Sequence, residues 1–294
     1  MDSNADPHIA YNYHTPLSGG YESLKYATTV PGGTGNCGIG DDQGLWQCDT
    51  VDSGPISMGR YASLALSVGD TPSIAYYNGN YGDLWWARKG GVYTNCGPGG
   101  DTWACFAIDI TGDVGMFASQ TRDKSSSIPS IAYYDATNEA LKYAVLVGSG
   151  GNCGQFEGAY LWQCDEIDDM GPNISDDHQR ISMALDPDGN PVIAYQETSD
   201  VGPAVLKVAR PVAHLGGIGN CGPIAYHFHT WQCDTIDPGG TYSSVGHYVD
   251  IAIANAGLAT IAYYESDSNH LSGNLKVAYQ RLPTFLPLVM RNGP

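Results

Sequence analysis

Residues 131–138 have the sequence Ile-Ala-Tyr-Tyr-Asp-Ala-Thr-Asn, and Leu-Lys-Tyr-Ala follows at residues 141–144. The alternation of large and small side chains in both pieces is typical of short β-strands that are packed on two faces. Similar pairs of segments recur at intervals of roughly sixty residues, which indicates a repeat protein. The five copies of Ile-Ala-Tyr begin at Ile9, Ile74, Ile131, Ile193 and Ile261.

Each repeat is predicted to contain four strands, which we name A to D in chain order. Strand B contains Ile-Ala-Tyr, strand C contains Leu-Lys-Tyr-Ala or a variant of it, and strand D begins with Trp-x-Cys. Strand A precedes B, and turn sequences such as Asp-Pro-Asp-Gly-Asn-Pro at residues 186–191 join the two strands in a hairpin. Four short antiparallel strands per repeat predict an all-β fold, namely a single five-bladed β-propeller.

The eight cysteines form four pairs, one pair in each of four repeats, at the start and end of the C to D connection. The repeat favours a disulfide within each C to D hairpin over the many other possible pairings. A zinc site needs four ligands, whereas each repeat offers two cysteines and no regularly placed histidine, so we expect no metal there. Disulfides indicate an extracellular or cell-surface protein. The predicted pairs are Cys37 with Cys48, Cys96 with Cys105, Cys153 with Cys164, and Cys221 with Cys233.

The pattern at residues 131–144 resembles repeats of secreted bacterial proteins whose function is largely unassigned. The ending Leu-Pro-Leu-Val-Met-Arg at residues 286–291 is similar to the tail of many such proteins. The resemblance extends over nearly the whole chain. It implies a β-propeller and an exported protein, and it carries no catalytic motif.

Both ends of the repeat array are incomplete. The first repeat lacks strand A, and the last lacks a strand D that contains cysteine. We therefore expect a propeller over residues 1–282 and a tail over residues 283–294 that adds a strand or closes the ring. A partner chain that completes the unfinished blade is the alternative. Pro287 in the tail suits an outer edge strand.

The chain is strongly acidic, with 31 Asp and Glu against 13 Lys and Arg and a net charge of −18. This charge repels phosphate backbones and anionic membranes, so nucleic acid is not an expected partner. No run of apolar residues is long enough for a membrane-spanning helix.

Positions that break the repeat are the best candidates for function. Trp85 replaces the Lys of strand C, and Gln196 replaces the second Tyr of strand B. The candidate ligand contacts are Trp85, Tyr77, Tyr134, Gln196 and Tyr264. Arg122, Asp123 and Asp250 are polar residues on inner strands, where they either face an axial channel or reflect a distorted loop.

Acidic residues also recur at the end of strand D, at Asp52, Asp109, Asp168 and Asp237. This recurrence favours a structural role in which the carboxylates accept hydrogen bonds from turn amides. Asp186 and Asp188 offer oxygen ligands for calcium, although their sequence also forms a good turn without a cation. No other cofactor is expected.

Three functions remain open from the sequence. The favoured one is a non-catalytic, lectin-like module that binds a glycan or another extracellular ligand, because recurring tyrosines with nearby amides and carboxylates suit sugars. The second is a glycoside-active enzyme, which requires two carboxylates from different blades at one sugar. The third is a structural component of a cell envelope or filament. Fold alone does not choose among them.

Overall fold

The computed structural model describes residues 1–14, 21–55, 57–91, 93–97, 102–172, 179–199, 202–212, 218–225, 228–241, 243–267 and 273–280. The predicted tail, residues 283–294, lies outside these ranges. Regular structure within them is β-strand, apart from two short 3₁₀ helices at Pro31–Gly33 and Gly40–Asp42. Over the same ranges, no helix has both the length and the apolar character of a transmembrane span.

The strands form five antiparallel sheets in chain order. Sheet 1 contains β1 (His8–His14), β2 (Glu22–Thr29) and β3 (Trp46–Gly54). Sheet 2 contains β4 (Met58–Leu66), β5 (Pro72–Asn78), β6 (Asp83–Lys89) and β7 (Trp103–Asp109). Sheet 3 contains β8 (Val114–Arg122), β9 (Pro129–Asp135), β10 (Ala140–Leu146), β11 (Cys153–Phe156) and β12 (Ala159–Asp169).

Sheet 4 contains β13 (Ile181–Leu185), β14 (Pro191–Glu197), β15 (Val205–Pro211), β16 (Gly219–Ala225), β17 (Phe228–His229) and β18 (Trp231–Asp237). Sheet 5 contains β19 (Ser243–Ile253), β20 (Ala259–Asp267) and β21 (Gly273–Tyr279). The predicted order A-B-C-D is found complete in sheets 2, 3 and 4, with β4, β8 and β13 as strand A. Among the described strands, sheet 1 begins at B and sheet 5 ends at C.

Consecutive sheets pack on one another, and one apolar cluster lies between each neighbouring pair. In sheets 2, 3 and 4, the Ile and Tyr of Ile-Ala-Tyr pack toward the preceding sheet, while the small Ala between them packs toward the next one. In sheet 3, for example, Ile131 and Tyr133 pack toward sheet 2 and Ala132 packs toward sheet 4. The A strands also lie side by side, β8 against β4 and β13 against β8. The alternation in Ile-Ala-Tyr therefore places Ile and Tyr on one face of strand B and Ala on the other.

The two terminal sheets each keep one face open in the described structure. Ile9 in sheet 1 is 45% exposed, whereas its equivalent Ile131 is fully buried. Leu275 in sheet 5 is 77% exposed, whereas its equivalent Leu141 is fully buried. The exposed residues are those that would contact a preceding or a following sheet.

The predicted disulfide pairing is confirmed in all four hairpins. Each pair has a Cα–Cα separation of 5.9 Å. An asparagine supports each bridge: Asn152 Oδ1 accepts the amide of Cys164 at 2.7 Å, and its Nδ2 donates to the carbonyl of Cys164 at 2.8 Å. The same clamp joins Asn36 to Cys48, Asn95 to Cys105 and Asn220 to Cys233. Four disulfides indicate an oxidising compartment.

Candidate binding site at the first sheet interface

A polar cluster recurs where one sheet meets the next. Between sheets 2 and 3, the Tyr133 hydroxyl donates to Asp109 at 2.7 Å, and Lys142 Nζ donates to the same carboxylate oxygen at 2.5 Å. Lys142 Nζ also lies 5.8 Å from the centre of the Tyr133 ring. The acid at the end of strand D thus binds the tyrosine of strand B and the lysine of strand C in the following sheet.

The cluster is repeated at the next two interfaces. Asp168 binds Tyr195 and Lys207 between sheets 3 and 4. Asp237 accepts hydrogen bonds from Tyr263 at 2.7 Å and from Lys276 at 2.6 Å between sheets 4 and 5. Burial alone would raise the pKa of Asp237, but hydrogen bonds from Lys276 and Tyr263 bring that pKa below its usual value. The structural role predicted for these acids therefore extends beyond their own turns to the neighbouring sheet.

The first interface departs from this pattern because Trp85 stands where the other sheets have lysine. Asp52 still accepts the Tyr76 hydroxyl at 2.7 Å. The indole of Trp85 lies 6.4 Å from the Tyr76 ring, on which the other sheets place an ammonium group. Burial raises the pKa of Asp52 despite the hydrogen bonds from Tyr76 and Ser53. One interface acid is therefore left with no lysine beside it.

Trp85 forms an aromatic platform with Tyr81, the two rings being 6.2 Å apart and inclined by only 10°. Tyr81 lies in the turn between β5 and β6 and is 70% exposed, while Trp85 is half-buried. Asp83 lies two residues before Trp85, so both side chains are on the same face of β6. Burial raises the pKa of Asp83, and the Trp85 indole lowers it in part. The platform thus combines the exposed ring of Tyr81 with a largely buried carboxylate, since Asp83 is 9% exposed.

The other four candidate contacts lie elsewhere. The Tyr77 hydroxyl donates to Asp113 at 2.8 Å, and burial raises the pKa of Tyr77. Tyr134 and Gln196 are each only 1% exposed. The Tyr134 hydroxyl donates to the carbonyl of Gly171, and Gln196 donates to that of Val245. Tyr264 makes an edge contact with Tyr248, 6.4 Å between ring centres. The structure places the five candidates on four different sheets rather than in one site.

The polar residues predicted on inner strands have separate local partners. Asp123 accepts hydrogen bonds from the amides and hydroxyls of Ser125 and Ser126, and these bonds lower its pKa. Arg122 donates to Ser73 Oγ at 3.0 Å and to the Ser127 carbonyl. Asp250 is exposed and accepts from Ser182 at 3.2 Å. These contacts agree with a role in shaping hairpins and strand contacts.

In the turn from Asp186 to Asn190, the Asp186 carboxylate accepts hydrogen bonds from amides of the turn itself. Asp186 Oδ1 accepts the amides of Asp188 and Asn190 at 2.9 and 2.8 Å. Throughout the described part of the chain, no group of three or more acidic, histidine or cysteine side chains is arranged to hold a metal ion. Of the two interpretations given for Asp186 and Asp188, the turn without a cation is the one that the sequence favours.

Sequence reasoning identified Trp85 but missed its neighbours. Tyr81 is in a turn whose length and composition vary between repeats, so no repeat position marks it. Asp83 carries a detectable signal, because the position before the strand C leucine is Ser23, Ala140, Val205 or Asn274 in the other repeats. A carboxylate two residues before the unusual tryptophan is a second break in the repeat on the same strand face.

Comparison of the sequence with models of known protein families finds no match. Comparison with individual curated proteins also finds none.

Proposed function

We propose that the protein is an extracellular, non-catalytic module that binds carbohydrate at the Trp85–Tyr81 platform. We further propose that its five sheets are the blades of a β-propeller. The order of the sheets, the packing of each on the next and the adjacent A strands support this architecture. The four disulfides support the extracellular location.

The replacement of lysine by Trp85 is the observation that carries the binding proposal. At the other interfaces the lysine neutralises the interface acid and covers the tyrosine ring, so little is left for a ligand. At the first interface, the exposed Tyr81 ring stacks nearly parallel to the Trp85 indole, so the two rings form one aromatic patch. Aromatic surfaces of this kind pack against the C–H faces of sugars, and adjacent carboxylates accept sugar hydroxyls.

Charge narrows the class of carbohydrate. The chain has a net charge of −18, and the platform lies close to Asp52 and Asp83. Sulfated and carboxylated glycans would be repelled. The expected ligand is a neutral sugar with one apolar face, bound weakly because the platform is small. Several copies of the sugar on one surface would raise the apparent affinity through multivalency.

A glycan array with the intact protein and Trp85→Lys tests this proposal. Lysine is the residue that other repeats carry at this position, so the variant keeps the fold while it removes the platform. We expect binding of neutral glycans to fall up to about tenfold, since an aromatic contact contributes up to about 1.5 kcal/mol and about 1.4 kcal/mol is a factor of ten in the dissociation constant. Tyr81→Ala should weaken binding as well.

Tyr160→Ala is the matched control, because this tyrosine is 46% exposed on the C to D hairpin of sheet 3. It should leave binding unchanged. Binding that survives Trp85→Lys would place the site elsewhere. An array without any binding, together with hydrolysis of a furanoside, would replace the lectin-like proposal with a glycoside-active enzyme.

A further inference from the structure

Two arginines meet at the junction between sheets 2 and 3. Ser73 of β5 stands opposite Arg88 of β6, so both side chains are on the face that is turned toward sheet 3. Arg122, at the end of β8 in sheet 3, reaches across the junction. Its Nε donates to Ser73 Oγ at 3.0 Å, and its guanidinium carbon lies 5.7 Å from the centre of the Trp86 ring. The two guanidinium groups therefore share one small region of the junction.

The positive charge of this region is not neutralised by the protein. Within the described ranges neither arginine forms an ion pair, although the chain has a net charge of −18. Arg122 Nη1 donates to the Ser127 carbonyl, whereas Nη2 has no acceptor among the described residues. Burial lowers the pKa of Arg122, and the charge of Arg88 lowers it further. Arg88 is exposed and Arg122 is half-buried, so solvent reaches both.

Comparison with the other sheets shows which acid is missing here. In sheet 4, Arg210 occupies the strand C position of Arg88 and pairs with Asp234 of strand D at 3.2 Å. Sheets 1 and 3 also carry an aspartate at that place in strand D, whereas sheet 2 has Phe106. Sheet 2 therefore keeps the arginine and lacks its counter-charge.

A second departure from the repeat adds a cation at the same junction. The last residue of strand A stands opposite the first residue of strand B, and it is Leu66 in sheet 2, Leu185 in sheet 4 and Ile253 in sheet 5. In sheet 3 this residue is Arg122. One departure removes an anion and the other adds a cation, so both change the local charge in the same direction.

We propose that Arg88 and Arg122 form a binding site for an oxyanion, namely the carboxylate or sulfate group of an extracellular ligand. Guanidinium groups donate paired, charge-assisted hydrogen bonds to such groups, and an oxyanion between the two arginines would neutralise both. The site is separate from the Trp85–Tyr81 platform, because residues 85 and 88 lie on opposite faces of β6. It does not depend on sugar binding at that platform.

An aromatic surface adjoins the arginines and narrows the class of ligand. Phe106 lies diagonal to Arg88 on the same face and stacks on Trp86, with 6.3 Å between ring centres. Phe156 lies 5.5 Å from Phe106, and Tyr93 lies 5.5 Å from Phe156 and is 58% exposed. A ligand whose acid group binds the arginines can place an attached ring against this surface. The expected ligand is therefore an organic acid with such a ring, rather than a free inorganic anion.

An NMR titration of the full chain tests the site through the side-chain Nε–H signals of Arg88 and Arg122. We expect sodium sulfate and sodium glucuronate to shift both signals to saturation, glucuronate at the lower concentration. Glucose should not shift them. Sodium chloride at equal ionic strength is the reference, because the net charge of the chain disfavours general anion binding. A response to chloride equal to that of sulfate would mean charge screening alone and would overturn the proposal.

Two variants restore the residues of the other repeats and should keep the fold. Phe106→Asp supplies the missing counter-charge, and Arg122→Leu removes the added cation. Each should weaken sulfate binding at least about tenfold, since each takes away a charged hydrogen-bond partner of the anion. Phe106→Leu is the matched control for Phe106→Asp, because it adds no charge, and it should retain sulfate binding. Undiminished binding in Phe106→Asp and Arg122→Leu would show that the anion binds elsewhere.

Further variants separate this site from other sources of binding. Arg88→Gln should weaken sulfate binding as much as Arg122→Leu, whereas Arg210→Gln should have no effect because Arg210 is already paired. Trp85→Lys should leave glucuronate binding unchanged, so failure of the platform and failure of this site are distinguishable. Asp101 is the one acid between β6 and β7 in the sequence. If the unchanged protein binds no oxyanion and Asp101→Asn does, the arginines serve their own hairpin and the proposal is wrong.

Discussion

At residue 85 a tryptophan replaces the lysine of the other repeats, and the pKa of the neighbouring acid, Asp52, is raised. We expect Trp85→Lys to lower the pKa of Asp52, because the new ammonium would donate to its carboxylate as Lys276 donates to Asp237. A carboxyl titration by NMR measures this shift. The pKa of Asp237 should not change, since it lies at another interface. An unchanged Asp52 would show that the lysine does not reach it.

The opposite pKa shifts of Asp52 and Asp237 predict opposite effects of pH on the free energy of unfolding. Folding raises the pKa of Asp52, so its ionised form opposes folding at neutral pH, and this cost disappears as the pH falls through that pKa. Folding lowers the pKa of Asp237, so its contribution is present at neutral pH and is lost as the pH falls through the lowered value.

We therefore expect Asp52→Asn to raise the free energy of unfolding at pH 7, because the amide oxygen can still accept the Tyr76 hydroxyl. Asp237→Asn should lower it by about 1 to 3 kcal/mol through the loss of a charged hydrogen-bond partner. At acidic pH, where the aspartates are protonated, both variants should differ less from the unchanged protein in their free energy of unfolding. Denaturant unfolding over a range of pH checks them, and a difference that stays constant with pH would contradict the role of ionisation.

Residues that break a repeat can be found from sequence, but their exposure cannot. Trp85 and Gln196 are equally visible as departures from the pattern. The structure leaves Trp85 half-buried next to an exposed turn, whereas Gln196 faces sheet 5 and is covered by it. The difference depends on which face a strand position takes and on what the neighbouring turn leaves open. A single sequence does not show which side chains the neighbouring turn leaves exposed.

At the scale of elements, the C to D hairpin is held by a disulfide and by the asparagine clamp. Removing one bridge with Cys153→Ser and Cys164→Ser should cost about 2 to 3 kcal/mol, the value for a closed loop of roughly a dozen residues. Asn152→Ala should cost about 1 kcal/mol through two lost hydrogen bonds. Denaturant unfolding measures both. A larger loss from Asn152→Ala would mean that the clamp, rather than the bridge, fixes the hairpin.

The repeating strands were predictable because their alternation is regular and occurs five times. The short strands β11, β16 and β17 were not. Residues 219–225, Gly-Asn-Cys-Gly-Pro-Ile-Ala, show no alternation and contain two glycines and a proline. This segment pairs because the disulfide and the asparagine clamp hold it beside β18, and tertiary bonds of this kind leave no periodic signal.

At the scale of the whole molecule, the stacked sheets differ in how many neighbours cover them. Strand β9 is central in sheet 3, which is packed on both faces, and all seven of its residues are buried. Strand β1 is the edge of sheet 1, with Ile9 partly exposed. We expect the amides of β9 to exchange with solvent deuterium much more slowly than those of β1.

Hydrogen exchange followed by mass spectrometry makes this comparison, with β5 of sheet 2 as a second protected reference. Equal protection of β1 and β9 would mean that another part of the protein, or another copy, covers the open face of sheet 1 in solution.

Each interface acid comes from the end of one sheet, and its tyrosine partner, joined by a lysine at every junction but the first, comes from the sheet that follows. A sheet between two others therefore supplies hydrogen-bond donors to the junction before it and the acceptor carboxylate to the junction after it. The junctions that join sheets 2 to 5 are therefore interchangeable in contact type, because each pairs an acid with a tyrosine and a lysine. At the first junction Trp85 stands in place of the lysine, so the donor half of sheet 2 consists of Tyr76 alone.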